Sequence, residues 1–99
     1  MYSVTVENDF RNTKAHIEFR WYTSVVTRFE AYLVSGSAPK ESFGGNIRII
    51  FNDKVIGTYT KKEDALGHVR QILIKCPTEC KKDFLLYSKY LESAITGVL

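Results

Sequence analysis

The chain has two cysteines and two prolines among 99 residues. Two cysteines allow at most one disulfide, too few for a disulfide scaffold, so stability is expected from an apolar core and a reducing, cytoplasmic setting is the expectation. No apolar run approaches the ~20 residues that span a bilayer, so no membrane contact is expected. The first ten residues, MYSVTVENDF, have neither the basic start nor the apolar stretch of a secretory signal. Neither sign of charge dominates: 14 basic residues face 11 acidic ones for a formal net charge of +3, and the two signs alternate without forming a block. A balance of that kind permits nucleic acid as a partner but does not argue for it. Internal repeats and low-complexity segments are absent as well.

The chain is the length of one domain, 1–99, and its composition, 44% hydrophobic and 25% charged, is that of an ordinary globular protein. Its densest aromatic stretch is IEFRWYTSVVTRFEAYL, residues 17–33. As a helix, this stretch lines up Ile17, Trp21, Val25, Phe29 and Leu33 on one stripe. As strands, it places every odd-numbered residue on one side and Glu18, Arg20, Arg28 and Glu30 on the other, an alternation rich in the β-branched and aromatic side chains that favour strands. The strand reading accounts for both faces, but it makes a single strand too long and so calls for a reversal. A turn at Ser24-Val25-Val26 would oppose Trp21 to Phe29, Phe19 to Ala31, Arg20 to Glu30 and Tyr22 to Arg28. Ser-Val-Val is poor turn chemistry, because branched side chains resist positive φ.

Elsewhere the patterns are simpler. Tyr2, Val4 and Val6 alternate with Ser3, Thr5 and Glu7 as a first strand. Residues 35–46, SGSAPKESFGGN, read as a long loop. Ile47–Phe51 and Val55–Tyr59 flank Asn52-Asp53-Lys54 as a second hairpin, with apolar residues on both faces. Thr60-Lys61-Lys62-Glu63 fits a capping box ahead of a helix carrying Ala65, Leu66, Val69, Ile72, Leu73 and Cys76. Pro77 separates it from a second helix whose stripe is Cys80, Phe84, Tyr87, Leu91 and Ile95, widened by Leu85, Leu86, Tyr90 and Ala94.

These elements offer little reaction chemistry. Cys76 and Cys80 have neither redox C-x-x-C nor zinc-ligand spacing; both fall on apolar stripes, as buried free thiols do. His68 shares the polar side of its helix with Asp64, a natural i−4 partner. No Ser-His-Asp or Cys-His set assembles from neighbouring elements, and Gly44-Gly45 lacks phosphate-loop spacing. Lys61-Lys62 and Lys81-Lys82 lie in or near first helical turns, where solvated lysines are ordinary. The expectation is a protein without catalytic, cofactor-binding or metal-binding residues.

What remains is surface. Arg20, Tyr22, Arg28 and Tyr32 share the even-numbered face of the first hairpin, the composition of an interface hot spot or of a base-stacking sheet. Lys40 and Phe43 extend that surface into the 35–46 loop. Leu86 and Tyr90 lie beyond the stripe that one sheet needs and predict self-association.

Residues 47–66, IRIIFNDKVIGTYTKKEDAL, look like the strand–turn–strand–helix pattern of AP2-type and integrase N-terminal DNA-binding domains, with a GTY-T-x-x-E-D-A core. The resemblance implies a sheet that contacts DNA. The positions that contact bases in those domains are mostly apolar in this chain.

The expectation is an α+β fold: an antiparallel sheet of about five strands (two hairpins and an N-terminal strand) with two C-terminal helices on one face. The expected function is that of a small non-enzymatic inhibitor, adaptor or regulator, of the kind found among phage and mobile-element accessory proteins. Another protein is the first expected partner, a second copy of the chain forms a homo-oligomer, and a sheet-based nucleic-acid binder is the alternative.

Overall fold

The computed structural model describes residues 1–23, 25–36 and 47–97. Five strands, β1 (Tyr2–Asn8), β2 (Thr13–Tyr22), β3 (Val25–Ser35), β4 (Ile47–Phe51) and β5 (Lys54–Tyr59), form one antiparallel sheet in the order β3-β2-β1-β4-β5. Helices α1 (Lys62–Ile74) and α2 (Lys81–Thr96) pack on one side of it, joined by a short 3-10 turn at Thr78–Cys80. The α+β expectation holds. Among the described residues no helix is long and apolar enough to cross a membrane.

The core lies between the helices and the sheet face formed by Tyr2, Val4 and Val6 of β1, Ala15, Ile17 and Phe19 of β2, and Ile47 and Ile49 of β4. Helical Ala65, Val69, Ile72, Phe84, Leu91 and Ile95 complete it. Tyr2 is its hinge: its ring meets Phe51 and Phe84 edge-on, and its hydroxyl donates to the Ile72 carbonyl at 2.9 Å. Burying a hydroxyl this deep is tolerable because the bond replaces the one to water.

Residues 17–33 are strands, with the odd-numbered side towards the helices, but the expected register is off by two. Phe19 lies opposite Phe29, Ile17 opposite Ala31 and Arg20 opposite Arg28. The reversal comes at Thr23, which takes a left-handed conformation (φ 47°), and an extra residue, Thr27, is absorbed as a bulge between Arg20 and Trp21. A two-residue turn needs positive φ, and a β-branched residue supplies it here against its own preference. Trp21 is consequently only half-buried, near the end of the core.

In the second hairpin Asn52 and Asp53 both take positive φ, 49° and 66°, as a type I′ turn requires. That hairpin is not enclosed on both sides by described elements. An extra residue, Ile56, turns towards α1, while Ile50 and Val55 sit opposite each other on the far face, with Val55 exposed. The capping box does not form either. The helix begins one residue later than it would need, with Lys61 as cap and no side-chain cap bond, and Glu63 and Asp64 face the helix dipole in its first turn.

The far end of α2 is tied to the sheet. Asn8 Nδ2 donates to the carbonyls of Ala94 and Ile95 at 2.9 and 3.0 Å, and Thr13 Oγ1 donates to Ala94 O at 2.9 Å. Asn8 and Thr13 are opposed across β1 and β2, so one rung of the sheet caps the helix. Gly97 then ends it in the left-handed conformation, φ 76°.

Candidate functional site

The sheet face away from the helices carries a polar layer built on β1. Ser3, Thr5 and Glu7 alternate with the core residues of that strand and are nearly as buried as they are, although no described helix covers them. Long side chains of the flanking strands close over them. His16, opposite Thr5, brings its Nδ1 to 2.7 Å from the Thr5 hydroxyl and stacks its ring on Tyr32 at 5.3 Å. Arg48, opposite Glu7, donates from Nε and Nη2 to Glu7 Oε1 at 3.1 and 2.7 Å.

Towards the β2–β3 tip the layer continues around Glu18. Its Oε2 accepts from Arg20 Nε at 2.9 Å and lies 3.9 Å from Arg28 Nε, and its Oε1 lies 3.6 Å from His16 Nε2. Arg28 also reaches Glu30 at 3.4 Å. Arginines set directly opposite each other would repel, and the largely covered Glu18 carboxylate between them offsets that. Arg20 therefore pairs along its own strand, not across to Glu30 as the expected register had it. Each arginine of this face has a carboxylate partner.

Among the expected contact residues, Arg20, Arg28 and Tyr32 come together on this face. Tyr32 is half-buried against His16, while Tyr22 stands at the hairpin tip, opposite Val25, with 76% of its surface exposed. Lys40 and Phe43 lie outside the described residues. Sequence reasoning missed the Thr5–His16–Tyr32 and Glu7–Arg48 groups. Their residues were visible as polar positions on strands, but only the pairing of β1 with β2 and β4 brings them together.

On the helical side, Leu86 is 55% exposed and Tyr90 is half-buried, stacked edge-on against Tyr87 at 5.5 Å. Tyr87 in turn meets Phe29 of β3 at 5.0 Å. Phe29, Tyr87 and Tyr90 thus form an aromatic ridge beside β3, the outer strand among the described residues, with Leu86 exposed on the same helix.

Reaction chemistry is sparse. Cys76 and Cys80 are buried, their Sγ atoms 3.6 Å apart. Burial, followed by the Cys80 thiol beside it, pushes the Cys76 thiol up to about 12, and burial raises Cys80 as well. Such thiols are protonated at neutral pH and poor nucleophiles. His68 does not turn to Asp64: its Nδ1 lies 2.7 Å from the Tyr59 hydroxyl, in a space kept open by Gly57. Beside it, a cleft of about 140 Å³ is lined by Phe51, Ile56, Gln71, Ile72 and Lys75. That is well below the ~300 Å³ at which ligand sites usually begin, and a second depression of about 490 Å³ against His68, lined by Tyr59, Glu63, Asp64, Gly67 and Gln71, is a shallow, open one that would leave a ligand largely in solvent. Among the described residues no three His, Cys, Asp or Glu side chains gather as a metal site would require.

Comparison with protein-family models, curated proteins and solved structures finds no match to this chain.

Proposed function

We propose that the protein is a non-enzymatic binding protein, an inhibitor, adaptor or regulator, that engages another protein through the tip and open face of the β2–β3 hairpin. The observation that carries this reading is Tyr22, a large side chain about three-quarters exposed on a paired strand, with Arg20 on the same strand and Arg28 opposite Arg20. Tyrosine and arginine presented on a rigid element are typical anchors of protein interfaces, because little ordering cost remains when the partner arrives. The charge pattern favours protein over nucleic acid. A phosphate approaching Arg20 or Arg28 also meets Glu18 and Glu30, whereas a protein surface of mixed charge can match both signs. The open face of β4 and β5 presents Ile50 and Val55 beside Arg48, whose guanidinium is held by Glu7, where the resemblance to DNA-binding domains would call for basic residues turned to a phosphate. Self-association on the α2 side, at Leu86 and Tyr90, belongs to the same reading.

The test is capture from a native lysate with and without nuclease, using the wild type and an Arg20→Ala/Tyr22→Ala variant. A partner retained after nuclease and lost with the variant is the expected result. A partner lost on nuclease treatment, or held equally by the variant, would overturn the proposal.

A further inference from the structure

Among the described residues β3 is an outer strand with no neighbour on its far side, eleven residues long, with none of the lysines or prolines that usually guard an edge. Its single bulge, at Thr27, lies near the hairpin tip and leaves Arg28 to Ser35 regular. The helix-side flank is incompletely covered: Phe29 remains 41% exposed beside Tyr87, with Tyr90 and Leu86 following along α2. Unpaired backbone amides and carbonyls next to an apolar ridge suit another strand with its own ridge.

We infer that the occupant is a second copy of the chain, its β3 paired antiparallel with this one across a twofold axis through Phe29. The inference rests on the self-association proposed above and gives it a geometry. In an antiparallel pair, directly opposed side chains lie on the same face, so a twofold axis perpendicular to the sheet must pass through a residue opposed to itself. An axis at Arg28 or at Glu30 opposes like charges. An axis at Phe29 sets Arg28 across from the partner's Glu30 and Glu30 across from the partner's Arg28, on the open face. On the other face it joins the two Phe29 rings and brings the two ridges of Tyr87, Tyr90 and Leu86 alongside. Arg28 is half in solvent and holds Glu30 and Glu18 only at 3.4 and 3.9 Å, so it can re-pair across the axis. The bulges at Thr27 confine the ladder to its central rungs, and the ridges supply the apolar contact around it.

Sedimentation velocity tests this on the wild type, Arg28→Glu, Glu30→Arg and Leu86→Ser, with circular dichroism confirming that each is folded. The wild type should sediment as twice 11.4 kDa at high micromolar concentration. Each single charge reversal places like charges opposite each other at both rungs and should raise the dissociation constant at least about tenfold. An equimolar mixture of the two reversed chains restores unlike pairs at both rungs and should dimerise again, as should the double variant R28E/E30R. Recovery in the mixture cannot come from a folding defect. A monomeric wild type would overturn both the self-association and this geometry. A dimeric wild type weakened by Leu86→Ser but indifferent to the charge reversals would overturn the Phe29 axis alone.

Discussion

Asn8 gives the sharpest test of how the sheet holds α2. Its side chain is nearly inaccessible, and its amide donates to two carbonyls in the last turn of the helix while its own oxygen accepts from the Arg11 backbone N–H at 3.2 Å. Replacing Asn8 by Ala removes all three bonds. A typical buried bond contributes about 1 kcal/mol net, and a carbonyl left unpaired costs roughly 1–3 kcal/mol. Ala94 O keeps the Thr13 hydroxyl, so one carbonyl, that of Ile95, loses its side-chain donor. With about 1 kcal/mol for each of the other two bonds, the sum is about 3–5 kcal/mol. For a domain of this size each kcal/mol lowers Tm by roughly 4–8 °C, so the fall should be plain in a melt. Equilibrium urea unfolding followed through Trp21, the single tryptophan, measures it directly. Asn8→Asp should be worse than Asn8→Ala, since it sets a negative charge against the negative end of a helix. Thr13→Val combined with Asn8→Ala should be non-additive, because both side chains serve the same carbonyl. An Asn8→Ala cost below about 1 kcal/mol, or an Asp variant more stable than the Ala one, would refute the capping argument.

Other consequences follow from packing and burial. Phe19→Ala, at a fully buried site, should cost about 3–5 kcal/mol in the same assay, and Trp21→Ala clearly less, because the bulge leaves Trp21 at the margin of the core. Gly57→Ala should destabilise by about 1–3 kcal/mol, since a Cβ there would lie 2.9 Å from His68 Nδ1 and closer still to the Tyr59 ring; a neutral substitution would mean that this pair is loosely held. The Cys76 and Cys80 thiols should resist alkylation at pH 8 in the folded protein and react readily in urea. Both folded values are raised above the ordinary 9.0, so the thiols' contribution to stability is intact below about pH 9 and declines above it, for Cys76 as pH rises towards about 12. An alkaline unfolding curve that is flat across that window would contradict it.

Much of the architecture was legible because alternation is a strong signal. Odd-numbered residues from 15 to 19 and from 29 to 33 do face the helices, and the stripes of α1 and α2 do reach the core. Register was not legible, because Thr23 adopts a turn conformation its side chain disfavours and Thr27 is absorbed as an extra residue. Neither leaves a mark in the pattern of apolar positions. The same two-residue shift changed which charges meet: the Arg20–Glu30 pair of the expected hairpin gave way to arginines opposed across Glu18. Arg20, Arg28 and Tyr32 were placed on one face by parity alone, which a shift of two preserves. The buried group under them was hidden because it depends on strands β1 and β4, far apart in sequence. His68 was read from its helix alone, and Tyr59, arriving from β5, took the place assigned to Asp64.

Binding of another protein by the hairpin tip, through Tyr22 and its flanking arginines, is the function proposed. Its most direct test is the affinity of the captured partner for wild type and Tyr22→Ala, each measured at 50 and 200 mM salt. A protein interface anchored by Tyr22 predicts a loss of at least about tenfold in the variant and only a modest response to salt. An affinity unchanged by Tyr22→Ala, together with a fall of roughly tenfold or more between the two salt concentrations, would contradict it and mark a nucleic-acid backbone as the ligand.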